Sequence, residues 1–214
     1  MIALPHFTYR TPKEYLDWEA QQEFKHEYLD GEVYAMTGGS IPHNLIAGNL
    51  FAILKTHFKG KGCRVFMADV KVKVALASSF HYPDVVVSCD RRDQNATQFI
   101  QYPCLIIEVL SPSTAGYDRG EKFRRYRQIP CLQDYVVVET NSMSIDRFSR
   151  TTDSRWELYN YGEGNLVEFP SVQWQGAIDL LYEDISFETP ESDAEEHESD
   201  LESQVSPRSA LTNV

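Results

Sequence analysis

The segment PCLIIEVL, residues 103–110, limits what this chain can fold into more than any other stretch. Leu105, Ile106, Ile107, Val109 and Leu110 form an apolar run of strand length, the kind found where both faces of a sheet are covered. Glu108 interrupts it. Burying an unpaired carboxylate costs on the order of several kcal/mol. The glutamate therefore needs a solvent-facing sheet edge, an arginine or a bound cation.

The flanking sequence supplies a fold around that strand. Thr11-Pro12-Lys13-Glu14 is a capping box with proline at the first helical position, and it predicts a short helix to about Gln22. HEYLDGEVYAM, residues 26–36, predicts a hairpin turning at Asp30-Gly31. Ser40 and Pro42 open a second helix to about Lys59, in which Ile46, Leu50, Phe51, Leu54 and Phe58 recur at helical spacing. Strands are expected over residues 64–76, 83–88 and 104–110, then a helix from Gly120 to about Gln128 and the strand DYVVVE, residues 134–139. MSIDRFSR, WELYNYG and LVEFP read as an antiparallel meander, with turns at Asn141-Ser142 and Gly162-Glu163-Gly164. A sheet core with helices before and after its central strands implies a mixed α/β (α+β) domain.

The chain has 214 residues, 42% hydrophobic and 12% aromatic, enough for one domain with a real core. From about Ser186 it becomes rich in Ser, Glu, Asp and Pro, with no aromatic residue after Phe187. Such a segment cannot offset its own ordering entropy, so residues 186–214 are expected to be a disordered acidic tail behind a domain of residues 1–185. Eight acids against Arg208 alone put −7 of the net −12 charge in that tail and leave −5 for the body. A mildly acidic body does not exclude a nucleic-acid partner. No apolar run approaches the ~20 residues of a membrane helix, so no membrane partner is expected. MIALPHFTYR lacks the form of a secretion signal, and a cytoplasmic protein is expected. Cys63, Cys89, Cys104 and Cys131 include no C-x-x-C pair and no clustered histidine, which argues against zinc and predicts buried free thiols.

Three residues can carry chemistry together. Asp84 stands at the start of the strand PDVVV, Glu108 lies inside the next apolar strand, and Lys122 follows on a helix face shared with Asp118 and Tyr126. Two carboxylates on adjacent strands suit a hard cation such as Mg²⁺, with the Val109 carbonyl as a further oxygen donor. Such an ion polarises a phosphate and acidifies a bound water, and a nearby lysine orients that water or offsets transition-state charge. Singly, each residue has an ordinary reading: turn chemistry for Pro83-Asp84, an edge or arginine-paired Glu108, and a solvated Lys122.

PDVVV, LIIEVLSPST and the following YDRGEKFRRY resemble the Uma-two family of restriction endonucleases, a branch of the PD-(D/E)xK nuclease superfamily. The hairpin HEYLDGEVYAM and the helix opening IPHNLIAGNL match its N-terminal half, and the likeness runs from about Tyr15 to Ile185. The resemblance implies a restriction-endonuclease-like core, a central mixed sheet flanked by helices with additional antiparallel strands. It implies Asp84 and Glu108 as metal ligands and Lys122 as the catalytic lysine, with Glu32 and His43 near the same site. The superfamily's E-x-K pattern would put lysine where this chain has Leu110, so Lys122 would be a relocated group. By the same likeness the cofactor would be Mg²⁺, with Mn²⁺ as substitute, and the substrate DNA. A homodimer would suit cutting both strands. The alternative is an inactive binding or interaction module on the same fold. The basic residues Arg119, Arg124, Arg125 and Arg127 and the segment KTHFKGKGCR would supply phosphate contacts or a solvated face. A carboxylate-pair glycosidase leaves Lys122 without a role, and no G-x-S-x-G elbow is present for a serine hydrolase.

Overall fold

A computed structural model describes residues 9–36 and 38–187. Helix α1 (Pro12–Glu19) begins at the capping box: the Thr11 side chain accepts from the Glu14 amide while Glu14 reaches back to the Thr11 amide. Strands β1 (His26–Leu29) and β2 (Glu32–Ala35) form the hairpin. Its two central residues both have positive φ, Asp30 at 51° and Gly31 at 106°, as a type I′ turn requires. Helix α2 (Ile41–His57) starts at Ser40, whose hydroxyl accepts from the His43 amide, and buries Ile46, Ala47, Leu50 and Leu54.

The run expected as one strand over residues 64–76 breaks at Ala68, whose φ is 50°. It becomes β3 (Arg64–Met67) and β4 (Lys71–Val74), which belong to different sheets. Next come β5 (Ser79–His81), which lacked a sequence signal, β6 (Val85–Ser88), the two-residue β7 (Phe99–Ile100) and β8 (Leu105–Val109). The expected helix from Gly120 starts five residues early. It is built as α3 (Ala115–Tyr117), a π turn (Asp118–Lys122) and α4 (Phe123–Tyr126). The chain continues through β9 (Asp134–Val138), β10 (Ser144–Arg150), β11 (Trp156–Gly162), β12 (Leu166–Phe169) and β13 (Trp174–Ala177).

The central sheet has six strands in the order β11-β10-β9-β8-β6-β3, parallel only between β8 and β9. A second sheet runs β2-β1-β5-β4-β7. Of the expected meander only β10 and β11 pair, with β9 on the other side of β10; LVEFP leaves it, and β12 pairs with β13 in a separate two-stranded sheet.

Alternation along β8 sends its residues to two different cores. Leu105, Ile107 and Val109 pack with α2, Phe169, Trp174 and Ile178. Ile106 and Leu110 pack with Val72 and Val74 of the second sheet and with Tyr126 and Ile129. Glu108 shares the parity of Ile106 and Leu110, so its side chain enters the space between the central sheet and the second layer. Tyr15, Tyr28 and Phe80 make a third cluster that pins α1 to the second sheet.

The expectation of free thiols fails for two cysteines. Cys63 and Cys89 are disulfide-bonded across the antiparallel pair β3 and β6, flanking the register pair Arg64 and Ser88, while Cys104 and Cys131 are free. Their 26-residue separation hid a contact that only strand pairing creates. Phe187 packs on Tyr182, with ring centroids 5.7 Å apart. Residues 188–214, most of the expected tail, lie outside the described residues. Among the described residues no helix is long and apolar enough to cross a membrane.

Candidate active site

Glu108 is buried at the C-terminal end of β8, and Lys122 answers the problem it poses: their Oε1 and Nζ are 2.9 Å apart. The Tyr126 hydroxyl donates to the same oxygen at 3.1 Å. Lys122 is itself buried and also meets Asp118 Oδ1 at 3.4 Å and Glu27 Oε1 at 3.3 Å. The π turn holds Asp118 and Lys122 together, and the Tyr135 hydroxyl donates to its Asp118 carbonyl at 2.8 Å.

Glu27 had no assigned role in the sequence. Tyr28 faces α1, so alternation turns Glu27 toward the central sheet. Its carboxylate accepts from the Tyr82 amide at 3.3 Å and meets His81 Nδ1 at 3.2 Å; His81 Nε2 contacts Ser79 Oγ at 3.0 Å. Ser79 and His81 are both fully buried. This Ser–His–Glu arrangement is closed to substrate and serves as a buttress for Lys122. Only the tyrosine-flanked acid in a short strand hinted at it in the sequence.

Asp84, just before β6, accepts from the Val109 amide at 2.7 Å and lies 3.3 Å from His43 Nε2. The Val109 carbonyl faces the same imidazole. His43 comes from the first turn of α2, where the Ser40 cap orients it. Asp84, Val109, Glu108 and Lys122 thus make one connected group, with His43 on its Asp84 side. Glu32 makes no hydrogen bond or ion pair with it among the described residues: it is exposed on β2, and its carboxylate takes a hydrogen bond from Tyr34.

Charge in this group is unbalanced. Burial alone would pull the Lys122 ammonium down, but Glu108, Glu27 and Asp118 outweigh it and hold the group well above the usual lysine range. Burial would raise Glu27, yet Lys122 and His81 hold it at about 2. Glu108 goes the other way: burial, reinforced by Asp84 and Asp118, pushes it well above the carboxylate range despite Lys122. The hydrogen bond to Asp84 raises the His43 imidazole against the effect of burial. One ammonium among three buried carboxylates leaves surplus negative charge, which a proton or a cation would relieve.

The donor chemistry fits a hard divalent cation. Asp84 Oδ1 and Glu108 Oε2 accept no hydrogen bond among the described residues, and Val109, whose amide bonds Asp84, follows Glu108 directly in β8. Among the described residues no three His, Cys, Asp or Glu side chains group as metal ligands. The set is therefore two carboxylates and a carbonyl, which suits an ion that keeps several waters. The Tyr117 hydroxyl is buried beside Glu27 and Lys122 and has no hydrogen-bond partner among the described residues.

Part of the expected basic surface is paired within the chain. Arg119 pairs with Glu139 and Asp146, Arg124 with Glu121, and Arg125 with Asp30 and Glu121. Arg127 and the lysines of KTHFKGKG form no ion pair among the described residues.

Residues 12–180 match the family model Uma2, described as "Putative restriction endonuclease". The uncharacterized protein slr1290 of Synechocystis sp. is 44% identical over 177 residues, covering 83% of this chain and 93% of that protein. The uncharacterized protein sll1609 of the same organism is 33% identical over 162 residues, covering 74% and 92%. A crystal structure from Anabaena variabilis, described as "a putative nuclease belonging to DUF820", superposes with a TM-score of 0.67 at 17% identity, over 81% of this chain and 97% of that one. At that identity the likeness concerns the fold, which both chains share.

Proposed function

The chain belongs to the Uma2 family, and from that premise we propose that it is a metal-dependent endonuclease hydrolysing DNA phosphodiester bonds. The observation that carries the reading is the contact of buried Glu108 with buried Lys122, beside Asp84 held on the Val109 amide. Asp84, Glu108 and the Val109 carbonyl would hold Mg²⁺ or Mn²⁺. With such a cation bound, the site supplies Lewis-acid polarisation of a phosphate oxygen and a water acidified for attack.

The chain's own groups do the rest. Lys122 keeps its proton, so it serves as a hydrogen-bond donor and fixed positive charge toward a water or a phosphate oxygen, not as a general base. Glu27, Asp118 and Tyr126 fix the rotamers of Lys122 and Glu108. His43 orients the Asp84 carboxylate.

Supercoiled, linear and single-stranded DNA incubated with Mg²⁺ or Mn²⁺ tests the reading, beside Glu108→Gln and Lys122→Met. Nicking or cleavage by wild type that is lost in both variants is expected. Mn²⁺ titration calorimetry in parallel should show binding weakened by Glu108→Gln and retained by Lys122→Met. No metal binding and no cleavage on any DNA form would sink the proposal. One observation favours the inactive module instead: Lys122 and Tyr126 already satisfy Glu108 Oε1 without a cation. Absence of Mn²⁺ binding separates the two.

A further inference from the structure

Asp84 precedes β6 and Cys89 follows it, so the disulfide lies at the opposite end of that strand from the carboxylates. Cys63 and Cys89 have Cα atoms 4.1 Å apart. The free Cys104, just ahead of β8, places its Sγ 3.8 Å from Cys89 Sγ. Bonding distance between sulfurs is about 2.05 Å, so a shift of under ~2 Å separates contact from bond. Cys89 is exposed, and a cavity of about 260 Å³ opens at the disulfide, lined also by His57, Lys61, Ser171 and Val172.

We propose that Cys63, Cys89 and Cys104 form a thiol–disulfide exchange site, in which Cys104 displaces Cys63 from Cys89 and frees the Cys63 thiol into this cavity. The Cys104 thiol gives its proton to solvent, and the thiolate attacks Cys89 Sγ. The Cys89–Cys104 bond forms as the Cys63–Cys89 bond breaks, its electron pair leaving with Cys63, which then takes up a proton. One disulfide and one thiol stand on each side, so neither oxidant nor reductant is consumed. The Lys61 ammonium at the cavity wall favours the departing thiolate. Both crosslinks join strands that already pair, β3 with β6 and β6 with β8, so the central sheet persists through the exchange. The freed Cys63 is a modification site for small thiol-reactive molecules that fit the cavity. None of this depends on the nuclease reading.

Peptide mapping tests the exchange. Wild type purified without reductant is held at pH 8 and at pH 9, quenched in acid, blocked with N-ethylmaleimide, digested unreduced and analysed by mass spectrometry. Cys89–Cys104 peptides and blocked Cys63 should accumulate, about tenfold faster at pH 9, because burial pushes the Cys104 thiol up to about 11. Cys104→Ser should keep Cys63–Cys89 alone. Cys63→Ser treated with diamide should yield Cys89–Cys104. Absence of the Cys63–Cys89 bond at the outset, its sole persistence at pH 9, or a Cys104–Cys131 product would overturn the proposal.

Discussion

Lys122 sits among Glu108, Glu27 and Asp118 with its side chain only 8% exposed, and that position decides what it can do. An ammonium so surrounded is a poor proton acceptor and a good positioned donor. Glu27 should matter to this even though it touches no candidate metal ligand. In Glu27→Gln a cleavage rate lower by about 10–100-fold is expected, the usual cost of losing an outer-shell partner, with DNA binding largely kept. A rate equal to wild type would assign Glu27 to folding alone. Glu27 also makes a prediction about acid stability. Its folded pKa of about 2 lies below the ordinary 4.5, so its contribution is complete above about 4.5 and is lost as the pH falls toward 2. On going from pH 6 to pH 3, wild type should lose on the order of 2 kcal/mol through this group, and Glu27→Gln should lose correspondingly less. Urea midpoints at the two pH values give the comparison.

At the scale of elements, the hairpin β1–β2 fixes where Glu27 points. A type I′ turn at Asp30-Gly31 sets the register His26 with Ala35 through Leu29 with Glu32. Gly31→Ala places a side chain at φ 106° and should cost about 1 kcal/mol or more, read as a lowered urea midpoint. The hairpin, both capped helices and the β10–β11 pair were legible because each rests on local signals: Asp-Gly, a capping box, a Ser cap, alternation. The split at Ala68 left only a change of phase, from Val65 and Met67 to Val70, Val72 and Val74, and a partial alternation does not say that its two halves join different sheets. The π turn was also hidden. Asp118, Lys122 and Tyr126 lie together as four-residue spacing suggests, but the wider turn carries no spacing signal, and its Asp118 carbonyl is held by the Tyr135 hydroxyl from β9.

For the molecule as a whole, the site lies between layers. Glu108 and Val109 come from the central sheet, Glu27 and His81 from the second sheet, Lys122 from the π turn and His43 from α2. A ligand held across Asp84 and Glu108 should therefore stabilise the entire domain. Millimolar Mn²⁺ is expected to raise the Tm of wild type and to leave that of Asp84→Asn nearly unchanged; equal shifts would place the ion elsewhere. The Cys63–Cys89 bond closes a loop of 26-residue separation within the same sheet. Its reduction should lower unfolding stability by about 3.5 kcal/mol in the chain-entropy account, measured with and without dithiothreitol in wild type and in Cys63→Ser.

Read as a string, the chain determined that a strand at residues 105–109 is covered on both faces and that Glu108 needs a counter-charge. It also singled out Asp84, Lys122 and the Val109 carbonyl, because residue type, order and short-range spacing are local properties, while His43 came only from the family likeness. Only the tertiary structure decided which groups share the buried space. It brought Glu27, His81 and Ser79 in from the second sheet, left Glu32 outside on an exposed strand and joined Cys63 to Cys89. The reason is physical: a partner across a sheet interface is set by strand pairing between residues far apart in the chain, and that pairing leaves no period or spacing in the sequence to read.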